Sequence, residues 1–157
     1  MAYIYPAPGV TGAQVVLTLT DATATLTGNI VMPALQDITV NASNDLFTWT
    51  QLDSASKLQV ATTATNSLDM NCVLDQTTFF GTGGTASNVG NVGVFGLSTR
   101  KTLVGFSLYL GNTSAGTAGK TMTGNAYVTG LAPTVSADSP VWVSPVTLTV
   151  TGAYTVA

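Results

Sequence analysis

From Val146 to Thr151 the chain reads VTLTVT, apolar and hydroxyl side chains in strict alternation. A repeat of two residues puts alternate side chains on opposite faces of an extended chain, so this segment is a strand with one face in a core. Extended back to Val141, the pattern sets Trp142, Val146, Leu148 and Val150 against Val143, Thr147, Thr149 and Thr151. Pro140 and Pro145 confine the start of that strand to an edge or an irregular entry.

The same period recurs upstream. In 13–20, Val15, Leu17 and Leu19 oppose Val16, Thr18 and Thr20. In 23–31, Ala24, Leu26 and Ile30 oppose Thr23, Thr25, Thr27 and Asn29. In 67–74, Leu68, Met70, Cys72 and Leu74 share a face against Asp69, Asn71 and Val73. In 102–110, Val104, Phe106, Leu108 and Leu110 oppose Leu103, Gly105, Ser107 and Tyr109. Glutamate is absent and leucine, lysine and arginine are sparse, so helix formers are scarce while β-branched residues abound. The expected fold is all-β, an antiparallel β-sandwich or barrel in one domain over 1–157, with at most one short helix near 75–80. Residues 32–36, 81–96 and 111–119 read as loops, the second long, Gly-rich and low in complexity.

Charge narrows the function. Only 7% of residues are charged: seven aspartates, four bases and no histidine, for a net charge of −3. So few bases cannot build the positive stripe that grips a phosphate backbone. Without histidine, Ser-His-Asp and Cys-His catalysis and imidazole-ligated metals are impossible. Asp69 and Asp75 are the closest-spaced carboxylates, and a strand-face residue and a turn residue describe them better than a glycosidase pair. Asp69-Met70-Asn71 with Asp75 lacks the glycine turn and distal glutamate of a calcium loop. GTGG at 81–84 has neither the GK[ST] ending nor the βαβ setting of a phosphate loop. Trp49, Trp142, Tyr3, Tyr5, Tyr109 and Tyr127 read as core or interface anchors before they read as a sugar platform. No enzyme, cofactor or metal is expected.

Cys72, the lone cysteine, fits a small core position and excludes an intrachain disulfide. Two glycosylation sequons, at Asn41 and Asn112, carry little weight in a chain without an evident secretory signal. Its N-terminus lacks a basic n-region, and no apolar run nears the roughly 18 residues of a membrane span, so cytoplasmic synthesis without an anchor is expected. A surface this poor in charge is costly for a free monomer. Coverage by further copies of the chain is the economical expectation.

Residues 100–152 carry a specific pattern: an apolar strand (RKTLVGFSLYLG), a Gly-rich turn, then TGNAYVTGL, the linker APTVSADSPVW and a final PVTLTVTGAY. This order resembles the C-terminal half of the bacteriophage tail tube (major tail protein) family. Upstream, 49–76 is similar to the family's early strand pair. Together the match covers about two thirds of the chain, and 1–40 read as an N-terminal extension or added strands. The resemblance implies a structural virion protein forming stacked hexameric rings, a tail tube through which DNA is ejected. Its partners would be tape-measure, tail terminator and baseplate proteins and a sheath protein where the tail is contractile, with assembly in the host cytoplasm. DNA would pass without specific binding, and no membrane would be involved. A capsid decoration protein, a head–tail connector, a surface-layer or pilin-like subunit and a carbohydrate-binding module stay open as alternatives.

On this reading Leu68, Met70, Cys72, Leu74, Phe106, Trp142, Val146, Leu148 and Val150 form the core face. Gly105, Ser107, Tyr109, Thr147, Thr149 and Thr151 form the self-assembly face. The polar segments 52–66 and 81–96 would line the lumen or bridge rings.

Overall fold

A computed structural model describes residues 2–157 except Thr11, Ala13, Pro33 and Ser54. Ala13, at the head of the first expected strand, and Pro33, in the expected 32–36 turn, thus lie outside the described residues. In chain order the elements are β1 (Ile4–Tyr5), β2 (Val16–Asp21), β3 (Asn29–Val31), β4 (Leu35–Trp49), β5 (Leu58–Val73), α1 (Gln76–Phe80), α2 (Val89–Thr99), β6 (Leu103–Tyr109), β7 (Asn112–Thr113), β8 (Thr121–Leu131), β9 (Thr134–Ser136) and β10 (Ser139–Val156).

The main sheet is antiparallel and runs β3-β2-β6-β8-β10-β5-β4, with β9 paired to β10. Only residues 32–34 separate β3, at one end of this path, from β4 at the other. Consecutive Cα atoms are about 3.8 Å apart, so the sheet must curl until its two ends meet at that corner. The register lines the inner face with matched apolar side chains: Leu17 opposite Leu108, Leu19 opposite Phe106, Leu108 opposite Met122. Leu148 lies between Val128 and Leu68, and Val146 faces Met70. All of these are buried. β2, β3 and the start of β4 are therefore integral strands of the sheet, although they precede the part that the family resemblance covers.

Four expectations need correction. Residues 23–31 form a strand only from Asn29. Ahead of it the chain folds around Asp21, whose carboxylate accepts from the backbone N–H of Thr23 (2.8 Å), Thr25 (3.0 Å) and Leu26 (2.7 Å). Local hydrogen bonding by an aspartate competes with the ladder and here displaces it. Residues 81–96 are not one loop, because α2 begins at Val89 and makes a second helix. Asn88 caps it, accepting from Gly90 N–H at 2.7 Å. Its propensity is poor, with glycine at 90, 93 and 96, so the helix owes its stability to burial of Val89, Val92, Val94 and Leu97 against β3 and β8. Residues 111–119 are not wholly loop, because β7 occupies Asn112–Thr113. The turn expected over 32–36 ends earlier, since β4 begins at Leu35.

The short helix expected near 75–80 is α1, with Asp75 as its N-cap, accepting from Thr77 N–H at 2.9 Å. Pro145 sits at an irregular entry: it is opposite Asn71 of β5, while pairing with β8 starts only at Val146.

Candidate assembly surfaces

The strand faces turned away from the core carry hydroxyls and amides in rows. Across β6, β8 and β10, Gly105 stands opposite Asn125 and Asn125 opposite Thr151; Ser107 faces Thr123, which faces Thr155. Thr149 lies beside Tyr127 and Ser67, and Thr147 beside Asp69. Gly105, Ser107, Tyr109, Thr147, Thr149 and Thr151 are thus brought onto one sheet face, none of them buried. Hydroxyls bond across the strands here: Thr123 with Thr155 at 2.8 Å, Thr129 with Thr149 at 2.8 Å. Such cross-strand pairs stabilise the sheet.

Acids join this network and bases do not. Asp69 accepts from Asn41 Nδ2 (2.6 Å) and from the Thr147 hydroxyl (2.8 Å), and Asn71 Nδ2 donates to both oxygens of Asp37 at 3.0 Å. Lys57, Arg100, Lys101 and Lys120 all fall outside the strands. Asp69 is therefore bound into the sheet surface, and Asp75 caps α1 through Thr77 and Thr78. The two are engaged in structural hydrogen bonds on different elements, so no paired-carboxylate chemistry follows. Among the described residues no group of histidine, cysteine, aspartate or glutamate is placed to hold a metal.

On the core side Leu68, Met70, Cys72, Phe106, Val146, Leu148 and Val150 are buried, and Leu74 is partly buried against them. Trp142 is not on the core: it is 48% exposed. Its parity is inward, but the core has ended by then; Ser144 is the first buried position of β10 among the described residues, and Trp142 lies on the overhang beside β9. Burial raises the Cys72 thiol pKa.

Sequence reasoning missed the arm. The β4–β5 ladder runs unbroken in direction from Leu35–Cys72 to Trp49–Leu58, with a bulge between Asn44 and Leu46. On β5 the first buried residue is Asn66, where β10 also stops pairing. Residues 58–65 with their β4 partners therefore project about 26 Å beyond the core, at roughly 3.3 Å per residue. This two-stranded arm exposes Leu46, Phe47, Val60 and, at the turn, Leu52. Phe47 and Trp49 stack at 5.9 Å near its end. An isolated hairpin of this kind is marginal in water. The strict alternation of β5 from Asn66 onward, preceded by ATTAT at 61–65, was the available signal of a strand that outruns its core. Trp49 and Trp142 lie at opposite ends of β5, about 50 Å apart along the strand, so they form no common sugar platform.

A smaller apolar patch lies on the helices, where Phe80 and Phe95 are exposed around the buried Phe79. No helix is long and apolar enough to cross a membrane among the described residues.

No family model matches the sequence, and no curated protein matches it either. Solved structures do. A chain from the tail of an empty gene transfer agent particle, refined with C6 symmetry, superposes with a TM-score of 0.61 at 11% identity, covering 90% of this chain and 95% of that one. A chain of the anti-feeding prophage baseplate gives 0.63 at 13% identity, covering 98% and 97%. The SPP1 tail tube gives 0.60 at 10% identity, covering 95% and 78%. At such identities the likeness is one of fold. The chain has the mostly-β fold of tail tube proteins, as the resemblance in 100–152 implies.

Proposed function

We propose that this protein is a structural subunit that stacks in rings to form the tube of a phage-like tail. The observation that carries the reading is the β4–β5 arm, a projecting apolar hairpin that nothing in its own chain covers. The fold supports the same reading. The arm reaches a neighbouring copy, where burial of Leu46, Phe47 and Leu52 repays the cost of leaving them exposed in the monomer. A contact between two different surfaces of the same chain is heterologous, and heterologous contacts build rings and filaments.

The free edge of β4 pairs with the next subunit in a ring of six, which removes the exposed edge. The hydroxyl face with Gly105, Ser107, Tyr109, Thr147, Thr149 and Thr151 meets neighbouring subunits. No strand presents a base. A bore built from these strands therefore lets DNA pass without holding its phosphates. Tape-measure, terminator and baseplate proteins, and a sheath in a contractile tail, are the partners this role requires. The virion tail is where it acts, after assembly in the host cytoplasm.

Negative-stain images of concentrated protein test the reading, alongside a Phe47→Ser/Trp49→Ser variant. Rings or tubes from the native chain, and folded monomers from the variant, are the expected pair of results. A native chain that stays monomeric at every concentration and salt condition, or binds empty capsids without polymerising, overturns it.

A further inference from the structure

The segment ahead of β2 is joined to its own domain in an unusual way. Its β1 is outside the main sheet and pairs with β7 alone, Ile4 opposite Thr113 and Tyr5 opposite Asn112. The backbone N–H of Ser114 adds a bond to the Tyr3 carbonyl at 2.8 Å. This pairing buries little: Tyr3, Ile4, Tyr5 and Val10 all remain exposed. Behind it lie Gly9 and Gly12, both at positive φ (78° and 82°) with open space around them. Backbone of that kind absorbs a change of direction without a steric penalty.

The receiving side has the opposite character. Asn112 accepts from the Tyr109 hydroxyl at 2.7 Å, and the same hydroxyl accepts from Gly119 N–H at 3.4 Å. Thr113 N–H donates to the Thr117 carbonyl at 2.8 Å, their hydroxyls meet at 2.6 Å, and Gly116 N–H closes the turn onto Thr113 at 2.9 Å. A Cβ on Gly119 would strike the Gly111 carbonyl, so the loop closes on itself with no slack. The chain thus presents a preformed acceptor edge and a lightly held strand on a glycine hinge.

We infer that residues 2–8 exchange between copies on assembly, β1 of one subunit pairing with β7 of the next. This rests on the proposed stacking of copies and names a specific contact within it. Exchange repeats in trans a pairing already made in cis, so it costs little beyond the hinge, and it ties each copy to the next through backbone bonds. Tyr109 then acts as a positioning residue for the acceptor, through Asn112 and Gly119.

Single-cysteine chains separate cis from trans. Ile4→Cys and Thr113→Cys are made separately in a Cys72→Ala background. The Tyr3–Ser114 bond makes Ile4–Thr113 the alternate, non-hydrogen-bonded pair, with Cα atoms about 4.5 Å apart, within disulfide range. The two chains are mixed, assembled, oxidised and run without reductant. A heterodimer band in the assembled fraction, absent from dilute monomer, is the expected result. Tubes without that band overturn the exchange, and so do tubes of the double variant (both cysteines in one chain) that link only within single chains. A mixture and native chain that both fail to assemble overturn the stacking reading itself, and the exchange with it.

Discussion

Gly81 and Gly93 face each other where α1 gives way to α2, so close that neither has room for a side chain. A Cβ on Gly93 would overlap the Gly81 nitrogen and stand 2.7 Å from the Phe79 carbonyl oxygen. Gly93 also has φ 70° and ψ 171°, a conformation essentially reserved for glycine, and it kinks α2 there. This contact fixes how the two short helices cross and where Phe79, Phe80 and Phe95 meet.

Replacing Gly93 with alanine is expected to cost about 2–5 kcal/mol, combining backbone strain with overpacking. Gly9→Ala, at positive φ but in open space, is expected to cost only about 1–2 kcal/mol. Urea denaturation of both variants measures the difference, and equal losses would contradict the helix-crossing account.

Leu148 is fully buried between Val128 and Leu68. Leu148→Ala is expected to lose about 2–5 kcal/mol. Trp142→Ala, despite the larger side chain, is expected to lose less than about 1 kcal/mol, because the overhang leaves it half exposed. Thermal denaturation ranks them, and the reverse order would return Trp142 to the core.

Asp21 is held below the usual carboxylate pKa, first by the Thr23 hydroxyl and then by the backbone N–H groups of Thr23, Leu26 and Thr25, against an opposing effect of desolvation. The folded state therefore binds this proton more weakly than the unfolded chain. The stabilisation is complete above the ordinary carboxylate value of about 4 and is lost as pH falls through the lowered one. Asp75 shifts the same way, led by the Thr77 N–H. Asp21→Asn is expected to flatten the acid side of a plot of melting temperature against pH below about 4, and an unchanged slope there would remove Asp21 from the acid transition.

Cys72 is fully buried and its thiol pKa is raised by burial. A thiol reagent near pH 8 is expected to leave the folded protein unlabelled and to label it at once in denaturant. Rapid labelling without denaturant would mean that β5 opens locally.

Assemblies held by apolar and hydroxyl contacts are indifferent to screening. Raising salt to about 1 M, where the Debye length is about 3 Å, is expected to leave the pelleted fraction of tubes unchanged. Dissolution would assign the contacts to Arg100, Lys101 and the aspartates instead.

How much of this was legible depends on the range of the interaction involved. Leu68, Met70, Cys72, Phe106, Val146, Leu148 and Val150 were readable as a core face because strand periodicity is a local property of consecutive residues. The short helix near 75–80 was readable from local sequence too, although Asp75 read as a turn residue and is its N-cap. The helix α2 was not: VGNVGVFGLST has the composition of a loop, and only burial against β3 and β8 makes it helical. The turn held by Asp21 looked like strand because alternation in 23–31 says nothing of a carboxylate placed to take up the N–H groups.

The sequence by itself determined an antiparallel β protein, poor in charge, without the residues for histidine-based catalysis or for gripping DNA, with a hydroxyl face opposite an apolar one. Tertiary structure alone decided where each strand's core ends. Periodicity sets the face of a side chain but not whether anything lies above it. Trp142 and Phe47 therefore carry core-like side chains on strands that outrun the core, and they stand at the surface.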